Sequence, residues 1–212
     1  MTGGSKRIKN LQIARPFVYG NIAVPLGDNR TETTPTDHTH SWTVFLRGIN
    51  GDDLSGFVKR VVFKLHETYP NSTRSIEEPP FEVTETGWGE FEIAIRVYFV
   101  SEAAEKNLVI YHHLKLHPYG PDIEKQKESG SVTSLQYEEF VFNEPTEGLF
   151  DILTRKPDAM LPKQKTSRVP FTVAAENEEL DRLAAAYNVV QEQIKKSTDQ
   201  LKQLEAERAS LQ

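Results

Sequence analysis

The 212-residue chain contains no cysteine. Disulfides, thiolate metal sites and a cysteine nucleophile are therefore excluded. No apolar run approaches the roughly 18 residues that a membrane-spanning helix requires. The first seven residues are polar and basic, which is unlike a secretory signal. These absences predict an intracellular protein that does not cross or enter a membrane.

Signatures of catalysis are also missing. The chain has no nucleophile elbow, phosphate-binding glycine loop, dinucleotide fingerprint or His-Glu-x-x-His motif. Its six histidines leave a metal-dependent jelly-roll enzyme as an alternative. His38 and His40 would share one face of a strand, and His112, His113 and His117 form a second group. No carboxylate stands in register with either group, so we expect no metal, no cofactor and no enzymatic activity.

Charge is unevenly distributed along the chain. Residues 1–145 carry 20 acidic and 15 basic side chains, residues 146–175 carry three and five, and the final 37 residues carry eight and five. An acidic main domain repels a phosphate backbone, so we expect no sequence-specific DNA binding and a basic partner instead. Charge that only keeps the domain soluble is the alternative. One acidic group could form a rim that attracts a basic peptide; it comprises Glu77, Glu78, Glu82, Glu85, Glu90 and Glu92.

The first 145 residues predict strands. Apolar Ile93, Ile95 and Val97 alternate with polar Glu92 and Arg96, which is the period of a half-buried strand. Turns rich in Gly, Asp and Pro separate the segments, and this pattern predicts an all-β, immunoglobulin-like β-sandwich, with a jelly roll as the nearest competitor. Seven segments are rich in β-branched and aromatic residues: 11–24, 41–47, 57–66, 81–86, 89–99, 108–116 and 132–142.

The pattern changes after the predicted sandwich. Residues 145–156 predict a short helix, and residues 156–174 form a linker rich in Pro, Lys and Arg. An α-helical coiled coil is predicted over 175–212, because eight of ten heptad positions are apolar. One such helix is marginal alone, so we expect another chain to pair with it; folding back onto the sandwich is the alternative. The a positions are Leu180, Tyr187, Ile194, Leu201 and Arg208, and the d positions are Leu183, Val190, Ser197, Leu204 and Leu211.

Two short stretches place aromatic residues where a strand meets a loop. Tyr69 lies in the first stretch, and Trp88 and Phe91 lie in the second. Rings at loop tips are poorly placed for a core and well placed for the walls of a narrow slot. The Thr68 hydroxyl, the His66 imidazole and glycine-freed backbone N–H groups stand beside them. Such a slot suits a flat, neutral, polar group such as an amide, and this predicts a reader of a modified side chain.

In these same stretches the chain resembles the YEATS family. The resemblance covers about residues 8–155, and its several ordered motifs make it far more specific than a single one. The turn around Trp88, together with a C-terminal coiled coil, is similar to the branch found in chromatin-remodelling and histone-acetyltransferase complexes. The motifs are Val18-Tyr19-Gly20-Asn21, His40-Ser41-Trp42-Thr43-Val44-Phe45, residues 64–70, Glu78-Pro79-Pro80-Phe81-Glu82-Val83, Gly87-Trp88-Gly89-Glu90-Phe91 and Asn143-Glu144-Pro145-Thr146-Glu147.

The resemblance implies a non-catalytic nuclear protein whose sandwich, over residues 8–155, binds acylated histone tail peptides. It also implies that the coiled coil docks the reader among the subunits of remodelling and acetyltransferase complexes. A module that binds histones or subunits without acyl-lysine dependence is the alternative. Carried over by motif, the acyl-lysine-binding residues are His66, Thr68, Tyr69, Trp88, Gly89, Glu90 and Phe91, with His38 at the edge of the slot.

Overall fold

The computed structural model describes residues 6–28, 30–49, 53–121, 123–155 and 171–210. Within those ranges the backbone forms strands, a single-turn helix and three longer helices. In chain order these are β1 (Gln12–Pro25), β2 (His40–Gly48), β3 (Val58–Lys64), β4 (Thr73–Ile76), β5 (Phe81–Gly87), β6 (Glu92–Phe99), the single turn (Ser101–Ala103), β7 (Leu108–His113), α1 (Ile123–Ser129), β8 (Val132–Asn143), α2 (Glu147–Arg155) and α3 (Val173–Ser210).

The strands form two antiparallel sheets of four strands each. Sheet 1 has the order β5-β2-β1-β8, and sheet 2 has the order β4-β3-β6-β7. The predicted all-β sandwich is therefore confirmed in its layers, while its immunoglobulin-like identity stays a prediction. The sequence pattern does not predict β4, because this four-residue edge strand contains only one apolar residue, Ile76. It does not predict α1 either, since none of the residues of α1 is buried.

The core lies between the two sheets and follows the predicted alternation. Ile93, Ile95 and Val97 of β6 are fully buried, as expected from their period of two. Trp42 of β2 faces them from sheet 1 and is also buried. Phe17 of β1 stacks on the β8 residue Phe140, with ring centroids 3.9 Å apart. The inner faces of both sheets thus supply a continuous apolar layer.

One buried amide crosses that layer. Asn21 of β1 has no exposed surface, and its Nδ2 donates to the Lys115 carbonyl at 2.7 Å. Its Oδ1 accepts the Lys115 backbone N–H at 3.0 Å and lies 2.8 Å from His112 Nε2. The amide orientation makes Oδ1 an acceptor, so His112 carries its proton on Nε2. Asn21 therefore ties sheet 1 to the end of β7 in sheet 2.

The short helix predicted over 145–156 is confirmed as α2. Thr146 begins this helix, because its Oγ1 accepts the Leu149 N–H at 3.0 Å. Leu149 and Leu153 are buried, which places the predicted apolar face against the sandwich. The segment before β1 reinforces this corner, since the Glu147 N–H donates to the Lys6 carbonyl at 3.0 Å.

Residues up to 160 and residues 161–212 form two compact units. In the second unit, Thr172 caps α3 by accepting the Ala175 N–H at 3.1 Å. The described apolar heptad residues of α3 are 50–64% exposed. The predicted linker residues 156–170 and the last d position, Leu211, lie outside the described residues. None of the helices that the structure describes is long and apolar enough to span a membrane.

Candidate functional site

The predicted site lies where β3, β5 and β6 meet their loops, and β3, β6 and β7 are shorter than the sequence predicted. β3 ends at Lys64 instead of residue 66. β6 begins at Glu92 instead of residue 89, and β7 ends at His113 instead of residue 116. The apolar pattern continues past the strands, because loop residues such as Leu65 are also buried in the core. The longer loops include two of the predicted site residues, His66 and Phe91.

Tyr69 lies on the side of the predicted slot that comes from sheet 2. It lies in the turn between β3 and β4, where its N–H donates to the His66 carbonyl at 3.1 Å. Its hydroxyl donates to the Thr86 carbonyl of β5 at 3.1 Å, which bridges the two sheets. Burial raises the pKa of the Tyr69 hydroxyl, so this group remains a neutral donor at physiological pH.

Four rings pack beneath the loop tips. Phe91 lies 5.7 Å from Tyr69, tilted by 41°, and 5.9 Å from Trp42, nearly edge-on. Trp42 also meets Tyr69 edge-on at 5.8 Å, and His66 lies 5.9 Å from Phe91. These separations are those of favourable aromatic pairs. The cluster fixes the Tyr69 and Phe91 rings before any ligand arrives.

Thr68 presents a hydrogen-bond acceptor at the rim of this cluster. Its Oγ1 lies 3.0 Å from His66 Nδ1, and its own backbone N–H approaches the same nitrogen at 3.4 Å. An Nδ1 that accepts the backbone N–H carries no proton, so the Thr68 hydroxyl donates to it. The hydroxyl proton is thereby used within the loop. The exposed lone pairs of Oγ1 are left to accept an N–H from outside.

Trp88 follows a glycine that has no room for a side chain. A Cβ at Gly87 would overlap the Tyr69 hydroxyl and lie 3.4 Å from Trp42 Nε1. The tyrosine therefore packs directly on the backbone from which Trp88 projects. The Trp88 side chain is 63% exposed. Within the described ranges it pairs with no other aromatic ring, so the predicted opposition of the Tyr69 and Trp88 faces stays a prediction.

Gly89 and Glu90 complete this loop in different ways. A Cβ at Gly89 would meet nothing within 4 Å, so its backbone is open to the solvent side. Glu90 faces the other way: its Oε1 accepts the Leu116 N–H at 2.8 Å and the His117 N–H at 3.2 Å. Its Oε2 pairs with Lys115 Nζ at 3.2 Å. Burial alone would raise the pKa of Glu90, but these donors hold it below its ordinary value.

The histidines near the slot belong to this hydrogen-bonded frame. His38 precedes β2 instead of sharing the strand with His40, and its Nδ1 lies 2.7 Å from Thr86 Oγ1. The His40 and His117 rings meet edge-on at 5.1 Å, and burial together with His117 lowers the pKa of His40. In the part of the chain that the structure describes, no three His, Cys, Asp or Glu side chains are grouped as a metal would require.

The structure thus brings His66, Thr68, Tyr69 and Phe91 together and places His38 beside them through Thr86. Sequence reasoning did not include Trp42, Thr86 or Gly87 among the site residues. Trp42 is buried in the core, and nothing in its own segment indicates that its ring supports Tyr69. The sequence could have indicated Gly87, because a glycine in a strand often marks a place where another group approaches the backbone closely.

Comparisons with known proteins show which family the chain resembles. The YEATS family profile matches residues 37–118. Proteins named AF-9 homolog align over nearly the whole chain. The one from Eremothecium gossypii is 50% identical, with 94% of this chain and 96% of that protein aligned. The one from Saccharomyces cerevisiae is 46% identical, with 94% and 92% aligned.

Solved structures of yeast Yaf9 share the fold. The crystal structure of yeast AF-9 homolog protein Yaf9 is 52% identical, with a TM-score of 0.65 over 73% of this chain and all of that chain. A Yaf9 YEATS domain bound to H3K27ac has a TM-score of 0.63 at 53% identity over 71% of this chain and 99% of that chain. Another, which recognises an H3K122suc peptide, has a TM-score of 0.61 at 53% identity over the same shares.

Proposed function

Because this chain belongs to the YEATS family, we propose that its sandwich is a non-catalytic reader of acylated lysine on histone H3. The observation that carries the proposal is the pre-packed cluster of Tyr69 and Phe91, with the Thr68 hydroxyl held as an outward acceptor. The relatives bound to H3K27ac and to an H3K122suc peptide support it. A protein that binds histone H3 is expected to be associated with chromatin in the nucleus.

The chemistry follows from what acylation does to lysine. It removes the ammonium charge and leaves a planar amide on an apolar stem. Tyr69 and Trp88 would hold that plane between their ring faces, and each aromatic contact contributes about 0.5–1.5 kcal/mol beyond burial. Thr68 Oγ1 would accept the amide N–H, and the backbone N–H of Trp88 or Gly89 would donate to the acyl oxygen. His38 would then line the edge of the slot.

Unmodified lysine is rejected because its ammonium cannot satisfy this arrangement. It offers no acceptor to the backbone donors, and it loses its hydration on entering, at a cost of several kcal/mol. Cation–π attraction of roughly 0.5–2 kcal/mol offsets only part of that cost. One acyl group with a few flanking residues should therefore bind with a Kd of about 10 μM to 1 mM, and only when the lysine is acylated.

The test is a calorimetric titration of the full chain with acetylated, crotonylated and unmodified H3 peptides. We expect binding of both acylated peptides and none of the unmodified one. Replacing Trp88 by alanine should weaken acyl-peptide binding about tenfold, since one ring wall is lost. The melting temperature should hardly change, because the Trp88 side chain is largely exposed.

Tyr111→Ala is the matched control, since the Tyr111 side chain is 60% exposed and lies on β7, away from the slot. It should bind acylated peptides as the parent protein does. Equal affinity for acylated and unmodified peptides would instead favour a surface-contact module without acyl dependence.

We further propose that α3 joins a helix of another chain as a coiled coil, which docks the reader into chromatin-remodelling and acetyltransferase assemblies. The supporting observation is its stripe of exposed apolar residues at heptad spacing. A 38-residue helix with such a stripe is stabilised when a second helix buries it. Weak acyl-lysine binding then gains from an assembly that already sits near nucleosomes.

A charge placed in the stripe tests this assembly. Ile194→Glu should weaken association about tenfold or more, because the burial of one isoleucine side chain contributes about 1.5–3 kcal/mol. Self-association is measured by sedimentation equilibrium, and assembly by co-purification with remodelling and acetyltransferase complexes. Val189→Glu is the control, since Val189 is equally exposed, at 54%, but lies at heptad position c. A full chain that is monomeric and also absent from such complexes would contradict the proposal.

A further inference from the structure

The outer face of sheet 2 carries a cluster of positive charge, although the chain as a whole is negatively charged. On β6, Ile93, Ile95 and Val97 point into the core, so Arg96 and Tyr98 point outward. On β3, Val61 and Phe63 point inward, so Lys64 points outward, on the same face as Arg96 and Tyr98. Arg60 is opposite Tyr98 in the register. The sheet thus presents Arg60, Lys64 and Arg96 on one surface of a chain with net charge −6.

These three cations are close together. Val62 pairs with Arg96, and Lys64 pairs with Ala94, so Arg96 is the diagonal neighbour of both Arg60 and Lys64. Diagonal neighbours on a sheet face lie about 7–8 Å apart at their Cα atoms, within reach of long side chains. The surface between the cations is uncharged, since Val62 and Ala94 are apolar, and the exposed Tyr111 stands opposite Ala94 on the next strand.

No carboxylate neutralises the cluster. Among the ion pairs of the described residues, none within 4 Å involves Arg60, Lys64 or Arg96. The face has one acidic residue, Glu92, which is opposite His113 at the far end of the register. Arg60 instead lies over the Tyr98 ring at 4.3 Å. Hydrogen bonding with Arg96, together with the charge of Arg60, lowers the pKa of Tyr98.

The geometry points to a binding surface for the phosphate backbone of duplex nucleic acid on this face. Its reading is sequence-independent, because a flat sheet face cannot enter a groove to reach base edges. Single strands fit less well, since stacking along a strand uses successive free ring faces, and among the described strand residues this face offers one, Tyr111, because Arg60 covers Tyr98. This surface is independent of the slot, although Lys64 lies only two residues before His66. The sandwich would therefore bind phosphates on a face separate from the predicted slot.

The experiment is fluorescence anisotropy of the full chain with a labelled 20-base-pair duplex of arbitrary sequence, over a series of salt concentrations. Three phosphate contacts predict a slope of log affinity against log salt near −3, at about 0.9 per neutralised phosphate. Lys64→Gln/Arg96→Gln should reduce the slope to about −1 and weaken binding at low salt about tenfold or more. Arg60 is left in place so that its packing on Tyr98 is preserved.

Lys9→Gln/Lys127→Gln is the matched control, because it removes the same charge from exposed sites outside sheet 2. It should bind the duplex almost as the parent chain does, and melting curves of both double variants check that each is folded. Equal losses in the two double variants would overturn the inference, as would tighter binding of a single strand than of the duplex. Binding of a polyglutamate peptide that exceeds binding of the duplex would also overturn it.

Discussion

Replacing Gly87 by alanine is expected to lower acyl-peptide affinity about tenfold or more, because about tenfold is lost when one ring wall is displaced. The added methyl group would overlap the Tyr69 hydroxyl, which is bonded to Thr86 and packed against Trp42. Relief requires either that the tyrosine leaves the cluster or that the Trp88 backbone moves away from it. In either case one methyl group displaces a wall of the proposed slot. Calorimetric titration with an acetylated H3 peptide measures the loss.

Stability should fall by about 1–3 kcal/mol in this variant, the usual cost of overpacking. Gly56→Ala is the control, since a Cβ there would lie 3.7 Å from Ile152 Cγ2, an ordinary contact. It should leave both peptide affinity and the melting temperature near those of the parent protein. If Gly87→Ala bound acylated peptide with parental affinity, Tyr69 would not be part of the ligand wall.

Acidification from pH 6.5 to pH 4 is expected to destabilise the sandwich by about 3 kcal/mol through His112 alone, since each pH unit between the folded and unfolded pKa values contributes about 1.4 kcal/mol. Burial lowers the pKa of His112 to about 4, with smaller contributions from His113 and Lys115. In this pH window the unfolded chain binds a proton at His112 that the folded chain does not. The stabilisation is therefore complete above pH 6.5 and is lost as the pH falls towards 4.

The proton has no favourable place in the folded protein. Asn21 fixes the hydrogen on Nε2, and in the described structure the buried Nδ1 has no hydrogen-bond partner. Protonation would create a buried cation that faces Lys115 and His113. Urea unfolding at half-unit pH steps measures the effect, with His112→Leu for comparison.

The leucine variant should show a much smaller fall in unfolding free energy between pH 6.5 and 4. Some slope will remain, because the lowered pKa of His40 acts in the same direction. Glu90 adds to the slope only at the acid end of this window, because a carboxyl whose folded pKa is lowered from 4.5 begins to lose its stabilisation as the pH falls through that ordinary value. Identical pH profiles for the two proteins would contradict the assignment to His112.

The sequence predicted those parts of the molecule that periodicity or a loop tip reveals. The buried triplet on β6 follows from alternation alone, and so does the apolar stripe of α3. Tyr69 and Phe91 could be recognised as site residues because an aromatic ring at a strand end is poorly placed for a core. The same stretches also indicated Thr68 and His66, and the YEATS resemblance added Glu90 and His38.

Contacts between distant segments could not be predicted in this way. Asn21 and Lys115 lie 94 positions apart, and neither segment contains a sequence pattern that indicates contact with the other. Glu90 was predicted as a ligand-binding residue, and the structure uses its carboxylate to hold the backbone of Leu116 and His117. That partner is set by the folded path of the chain, so only coordinates reveal it. Whether Glu90 also contacts a ligand stays a prediction.

Because Tyr69 extends from one sheet and Trp88 from the other, the width of the proposed slot between them should depend on how thickly the interior of the sandwich is filled. A larger or smaller side chain at Val83 of β5 or Ile95 of β6, both buried, would shift the sheets slightly and widen or narrow that gap. Core residues that touch no ligand can therefore select between short and bulky acyl groups. Relatives with identical loops can then differ in acyl preference through their interiors alone.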